Sequence, residues 1–146
     1  MIEKAVENWH KLIRGEFPGG LDELLAEDVV FYSPVVFTPQ KGIEITKLYL
    51  SAAANTFGGE PDAASGSPNP NTSKFRYTKQ ILSGNFAMLE FETEMQDKYV
   101  NGVDILTCND EGKVVEFKVL IRPLQAVNAV HAQMRRMLEK LQETRT

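Results

Sequence analysis

The sequence is poor in the residues that build most metal, redox and nucleophilic centres. It has one cysteine, Cys108, one tryptophan, Trp9, and two histidines, His10 and His131. A lone cysteine excludes an intrachain disulfide and reads as a small buried packing residue. The two histidines lie far apart, each on an expected helix, and read as surface or boundary residues. No Cys or His cluster has metal-ligand spacing, and there is no Gly-rich phosphate loop and no nucleophile elbow. Neither a metal nor a cofactor is therefore expected. Long apolar runs are also missing: nothing approaches the roughly 18 residues of a membrane span. Residues 1–14 mix charges into their apolar pattern, unlike a signal peptide, so the expectation is a cytoplasmic protein without membrane contact. Charge of one sign is lacking too. The net charge is -4 with no long run, so there is no basic face to neutralise phosphates and no nucleic-acid partner is expected.

What remains is an ordinary globular composition, 42% hydrophobic and 25% charged over 146 residues. That length suits one domain, 1–146, burying about two thirds of its unfolded surface. Ile2, Ala5, Val6, Trp9, Leu12 and Ile13 recur at helical spacing and predict an amphipathic helix over 2–14. Pro18, Gly19 and Gly20 break it, and Leu21–Ala26 reads as a second, short helix. Val29–Tyr32 is a β-rich run stopped by Pro34. Gly42 precedes a third helix with Ile43, Ile45, Leu48, Tyr49 and Ala52 as its apolar positions. Residues 58–72, rich in Gly, Pro, Ser, Asn and Ala, read as a loop.

The second half is mostly strand: 75–82, 86–96, 100–108 and 114–121. Leu89, Phe91, Thr93 and Met95 alternate with Glu90, Glu92 and Glu94, which is a period of two with one buried and one polar face. The three glutamates read as a solvated or interface face, with Lys118 and Arg122 as cross-strand neighbours. Asn109, Asp110, Glu111 and Gly112 predict a type I turn with glycine in the left-handed position. Pro123 ends the last strand. From Leu124 a long helix runs to the C-terminus, with Val127, Val130, Met134, Met137, Leu138 and Leu141 on one side. Early helices and late, hairpin-joined strands predict an α+β fold: an antiparallel sheet with helices on one face.

Asp104 is the acid that stands out, because it sits mid-strand among Val103, Ile105 and Leu106, where aspartate is disfavoured. Two readings stay open. It points outward and pairs with a lysine, or it points into the core, where burial raises its pKa and suits it to act as acid, base or hydrogen-bond donor. The turn register decides between them.

The run Gly102-Val-Asp104-Ile-Leu-Thr-Cys-Asn-Asp-Glu-Gly112-Lys-Val-Val-Glu-Phe-Lys-Val resembles the closing hairpin of the nuclear transport factor 2-like superfamily. That superfamily includes SnoaL-type polyketide cyclases, ketosteroid isomerases, scytalone dehydratase and limonene epoxide hydrolase. The Leu-Asp-Glu-Leu-Leu-Ala-Glu-Asp-Val stretch from Leu21 to Val29, Ser33-Pro34 and Gly42 agree with it, and the resemblance spans residues 2–125. It implies a cystatin-like cone, a strongly curved, mostly antiparallel sheet wrapped around N-terminal helices, with 124–146 as an added C-terminal helix. It implies a homodimer through the outer sheet face and an apolar pocket inside. It specifies a fold better than an activity.

Residue by residue, Asp104 resembles the oxyanion-hole acid of the ketosteroid isomerases, which favours the inward reading. The isomerase base falls at Ser33 and its first-helix tyrosine at Trp9, so two of three active groups are absent, and serine has no useful basicity at neutral pH. The epoxide-hydrolase acid falls near Val119, and its Arg-x-Asp pair is missing around Phe91. No His-Asp pair stands where scytalone dehydratase has one. The resemblance therefore implies a pocket for a small lipophilic, polyketide-like or steroid-like molecule. Trp9, Ser33, Phe91, Thr93, Phe117, Val119 and Ile121 line it, and Asp104 is its polar anchor. The alternative is a cofactor-independent isomerase, cyclase, dehydratase or hydrolase using Asp104, helped by Tyr32 and Tyr49. A dimeric protein-interaction module is the third reading.

Overall fold

In a computed structural model, which describes residues 1–57 and 75–145, the chain folds as four helices on the concave side of one curved, six-stranded sheet. The expected loop over 58–72 lies outside the described residues. Helix α1, Ile2–Ile13, buries Ile2, Ala5, Val6 and Trp9, the 3.6-residue stripe read from the sequence. Ile13, expected on that stripe, is exposed at the frayed end. Helix α2 covers only Gly20–Leu24, and β1 begins at once, Leu25–Tyr32. The predicted helix to Ala26 is cut short because Leu25 joins a parallel ladder opposite Val114.

After β2 (Gln40–Lys41) comes α3, Ile43–Phe57, then β3, Arg76–Ser83, β4, Phe86–Met95, β5, Lys98–Cys108, β6, Val114–Arg122, and α4, Leu124–Arg145. The sheet order is β2-β1-β6-β5-β4-β3, antiparallel except for β1 beside β6. Gly112, at φ +80°, closes the β5–β6 turn, and its amide donates to the Asn109 carbonyl at 3.0 Å. Between β4 and β5 the turn is only two residues, Gln96 and Asp97, both at positive φ. That tight turn sets the pairing Leu89↔Asp104, Phe91↔Gly102 and Thr93↔Val100. Residues directly opposite share a face, so Asp104 follows Leu89 into the core.

The outward rows differ from the sequence reading in one respect. Lys118 does not meet the glutamates; its ammonium lies over the Tyr32 ring, 4.7 Å from the centroid. Glu90 instead accepts from Asn101 at 3.0 Å, and Arg122 donates to the Asn101 carbonyl oxygen at 3.1 Å. Glu92 is held by Arg76 and by the Tyr99 hydroxyl. One strand, β5, lies between β4 and Lys118, whose row across the sheet runs through Ile105 to Met88 rather than to a glutamate, which the linear pattern does not reveal.

Helix α4 lies against α3 and over the open end of the sheet, burying Ala126, Val130 and Met134. No helix among the described residues is long and apolar enough to cross a membrane.

Candidate functional site

Asp104 is 6% exposed, flanked in register by Leu89 and Val119 and set among apolar side chains. A carboxylate there loses its water, so burial pushes the pKa from 3.8 to about 7, against the pull of one hydrogen bond. That bond comes from the Tyr77 hydroxyl, which donates to Oδ2 at 2.6 Å. The Trp9 indole N–H in turn donates to the Tyr77 oxygen at 2.9 Å. The order Trp9→Tyr77→Asp104 is chemically forced. Indole can only donate, so the phenol accepts from it and spends its single proton on the carboxyl. Burial and the neighbouring carboxylate hold the Tyr77 phenol well above its ordinary value of 10. The other carboxyl oxygen, Oδ1, has no hydrogen bond among the described residues.

Each element delivers one of these groups. Helix α1 aims Trp9 inward from its buried stripe, where its ring meets Phe117 edge-on at 5.1 Å. Strand β3 is largely exposed, yet Tyr77 pairs with Phe91, and a bulge just after it ends the regular register. Phe75 stacks on Phe91 at 5.1 Å and meets Tyr77 edge-on. Sequence reasoning missed Tyr77. The signal available for it was the buried indole, which needs an acceptor, and an aromatic run, Phe75-Arg-Tyr77, at strand spacing.

Trp9, Phe91, Thr93, Phe117 and Val119 are all buried and Ile121 is half-buried, with Thr93 four residues along β4 from Leu89, the partner of Asp104. Their aromatic rings lie close together, with Trp9 on Phe117 and Phe75 on Phe91 each at 5.1 Å between centroids. Ser33 sits apart, at the end of β1, where its hydroxyl accepts from the Val35 amide at 3.2 Å. It lines a half-open cleft of roughly 270 Å³ between α3, α4 and the β1–β2 connection, together with Tyr49, Val36, Met134 and Leu138. Tyr49 packs on Phe31 at 5.2 Å and faces this cleft, not Asp104. Tyr32 is also removed from the site: Phe31 takes the inward position of β1, and Tyr32 lies on the outer face under Lys118. Neither Tyr32 nor Tyr49 touches Asp104; the tyrosine bonded to it is Tyr77. His10, half-buried, meets Gln80 at 3.0 Å, and His131 is exposed.

No protein-family model matches the chain, and no curated protein matches it. Among solved structures, the chain is similar to a steroid Δ-isomerase from Pseudomonas aeruginosa, with 26% identity and a TM-score of 0.82 over 97% of this chain and 94% of that one. It is also similar to an uncharacterised bacterial protein with a cystatin-like fold from Silicibacter pomeroyi, with 24% identity and a TM-score of 0.73 over 90% and 82%. A third likeness is to a nuclear transport factor 2-like protein of unknown function from Mesorhizobium loti, with 21% identity and a TM-score of 0.63 over 84% and 91%. The chain has a cystatin-like fold, a curved sheet with its helices packed as a cone.

Proposed function

We propose that the protein binds a small lipophilic molecule inside the cone, with Asp104 as its polar anchor. One observation carries this reading: a carboxyl enclosed by apolar side chains, with one oxygen held by Tyr77 and the other without a hydrogen bond among the described residues. Packing alone does not call for a carboxyl in such a place, since burying one is costly unless it is neutralised or fully bonded. When protonated, Asp104 donates from Oδ1 to an acceptor such as a ketone. On this reading entry is from the cleft at Ser33 and Tyr49, and Tyr49 packs on Phe31, which packs on Phe117. Decyl methyl ketone is a suitable probe. Its affinity is expected to fall as pH rises through about 7, because the donor is lost, and to fall about tenfold in Asp104→Leu. Equal binding by the variant, measured by calorimetry, removes the anchor.

A second reading is a cofactor-independent isomerase, cyclase, dehydratase or hydrolase. It is favoured by one fact: an acid that titrates near 7 is poised for proton transfer at working pH. Its fold-level support is the likeness to a steroid Δ-isomerase. Ser33 offers no base to complete the isomerase set.

We also propose that two copies pair through the outer sheet face. Ile81, Phe86, Met88 and Leu120 are exposed there, joined by half-buried Val103 and Ile105, with charged rows on one side. A contiguous apolar band of this kind marks an interface. Light scattering is expected to give a dimer for the wild type and a monomer for Met88→Glu. A monomeric wild type contradicts the pairing.

A further inference from the structure

The cleft between α3, α4 and the β1–β2 connection carries more chemistry than an entrance needs. Val35, Val36 and Leu138, each half-buried, and the buried Met134 give it an apolar lining. Its polar groups are mostly donors. The Ser33 hydroxyl accepts from the Val35 amide, which leaves its own proton to give. The Tyr49 hydroxyl has no hydrogen bond among the described residues. His131 and Arg135 stand one turn apart on α4, and both line the cleft. Glu139 is the only acid in the lining, and its carboxylate lies 3.5 Å from the Arg135 Nε. An exposed ion pair of this kind adds little to stability, but it restrains the guanidinium at the rim. The two terminal amino groups of Arg135 have no partner among the described residues. Those two groups form the fork that meets a carboxylate through parallel hydrogen bonds.

We propose that this cleft is a binding site in its own right for a small apolar carboxylic acid, whose carboxylate is met by Arg135 and the Ser33 and Tyr49 hydroxyls and whose hydrocarbon body lies on Val36, Met134 and Leu138. A lining rich in donors calls for an acceptor-rich ligand, and a guanidinium fork calls for a planar anion. The volume of roughly 270 Å³ is just under the usual range of about 300–1,000 Å³ for small-molecule pockets, so it suits one ring on a short chain. The site stands apart from the Asp104 anchor, because Ser33 and Tyr49 face the cleft and not that carboxyl. Its cation comes from α4, beyond residues 2–125, where the superfamily resemblance lies.

The test is an NMR titration with 3-phenylpropanoate and with its amide, which has the same shape and no charge. The wild type is expected to bind the acid about tenfold more tightly than the amide. The methyl signals of Val36 and Leu138 are expected to shift, and the indole N–H of Trp9, the only tryptophan, to stay in place. In Arg135→Gln the preference for the acid is expected to vanish. That side chain is 75% exposed, so folding is preserved, and circular dichroism checks this. Arg136→Gln, at an exposed position of α4 outside the cleft lining, is expected to keep the preference. A preference that persists in Arg135→Gln, or is lost equally in Arg136→Gln, overturns the proposal. So does an acid that moves the Trp9 signal and leaves the cleft methyls alone, because it then sits in the interior. If the acid does not bind the wild type at all, the cleft site is overturned while the Asp104 anchor stands or falls by its own ketone.

Discussion

Replacing Asp104 by asparagine is expected to flatten the pH dependence of stability and to leave the variant more stable than the wild type above pH 7. The sign follows from the shift. The folded carboxyl titrates at about 7 and the unfolded one near 3.8. Between those values the native state holds a proton that the unfolded state has released, so stability falls as pH rises. Below the lower value the contribution is fully present, and above the upper one it is gone. At about 1.4 kcal/mol per unit, the wild type loses about 4 kcal/mol across this window. That is a large share of the roughly 5–15 kcal/mol that holds a domain of this kind together. Asparagine keeps the acceptor for Tyr77 and does not ionise, so its curve stays level. Urea melts at a series of pH values from 4 to 8 read both curves, and parallel curves for the two proteins contradict the burial argument.

Removing the Tyr77 hydroxyl in Tyr77→Phe is expected to cost about 3 kcal/mol at pH 8 and less at pH 5. Two effects add. The buried carboxylate loses its one hydrogen bond, and the Trp9 indole N–H is left without an acceptor. Only the first depends on charge, which gives the pH dependence its direction. The hydrogen bond pulls the Asp104 pKa down, so its loss sends that pKa higher still. A stability difference that is the same at both pH values is the result that counts against Tyr77 supporting the ionised form. Changes in the emission of Trp9, the only tryptophan, report the loss of the contact directly.

Much of this architecture was legible because its elements carry strong periodicity. The stripe from Ile2 to Trp9 and the alternation from Leu89 to Met95 each have one buried face and one polar face, so helix and strand follow with little ambiguity. Strand β5 is different. Its inward residues include Val100 and Leu106 and its outward ones Val103 and Ile105, so both faces are apolar and periodicity cannot say where Asp104 points. The answer lies in the Gln96–Asp97 turn, whose positive φ values occur without the glycine that normally announces them. Strand β2 is two residues long, too short for any period.

The site was legible only in part, for a similar reason. Asp104 stood out as a charge in an apolar run. Tyr77 did not, because a tyrosine on a strand is what β-propensity alone supplies, and β3 is mostly exposed. Its role appears only when β3, α1 and β5 are brought together, with Trp9 distant from it by 68 positions in the chain. Tyr32 and Tyr49 carried the same residue type in plausible places, and the strand parity of β1 and the packing of α3 directed them elsewhere.

The central claim is that a carboxyl kept from water inside the cone holds its proton near neutrality. Carbon-13 NMR of aspartate-labelled protein follows that proton directly, with Asp104→Asn identifying the resonance. A midpoint at about 7 is the outcome this account requires. A midpoint at about 4, the value of a solvated aspartate, would mean that the side chain meets water and that the interior holds no anchor.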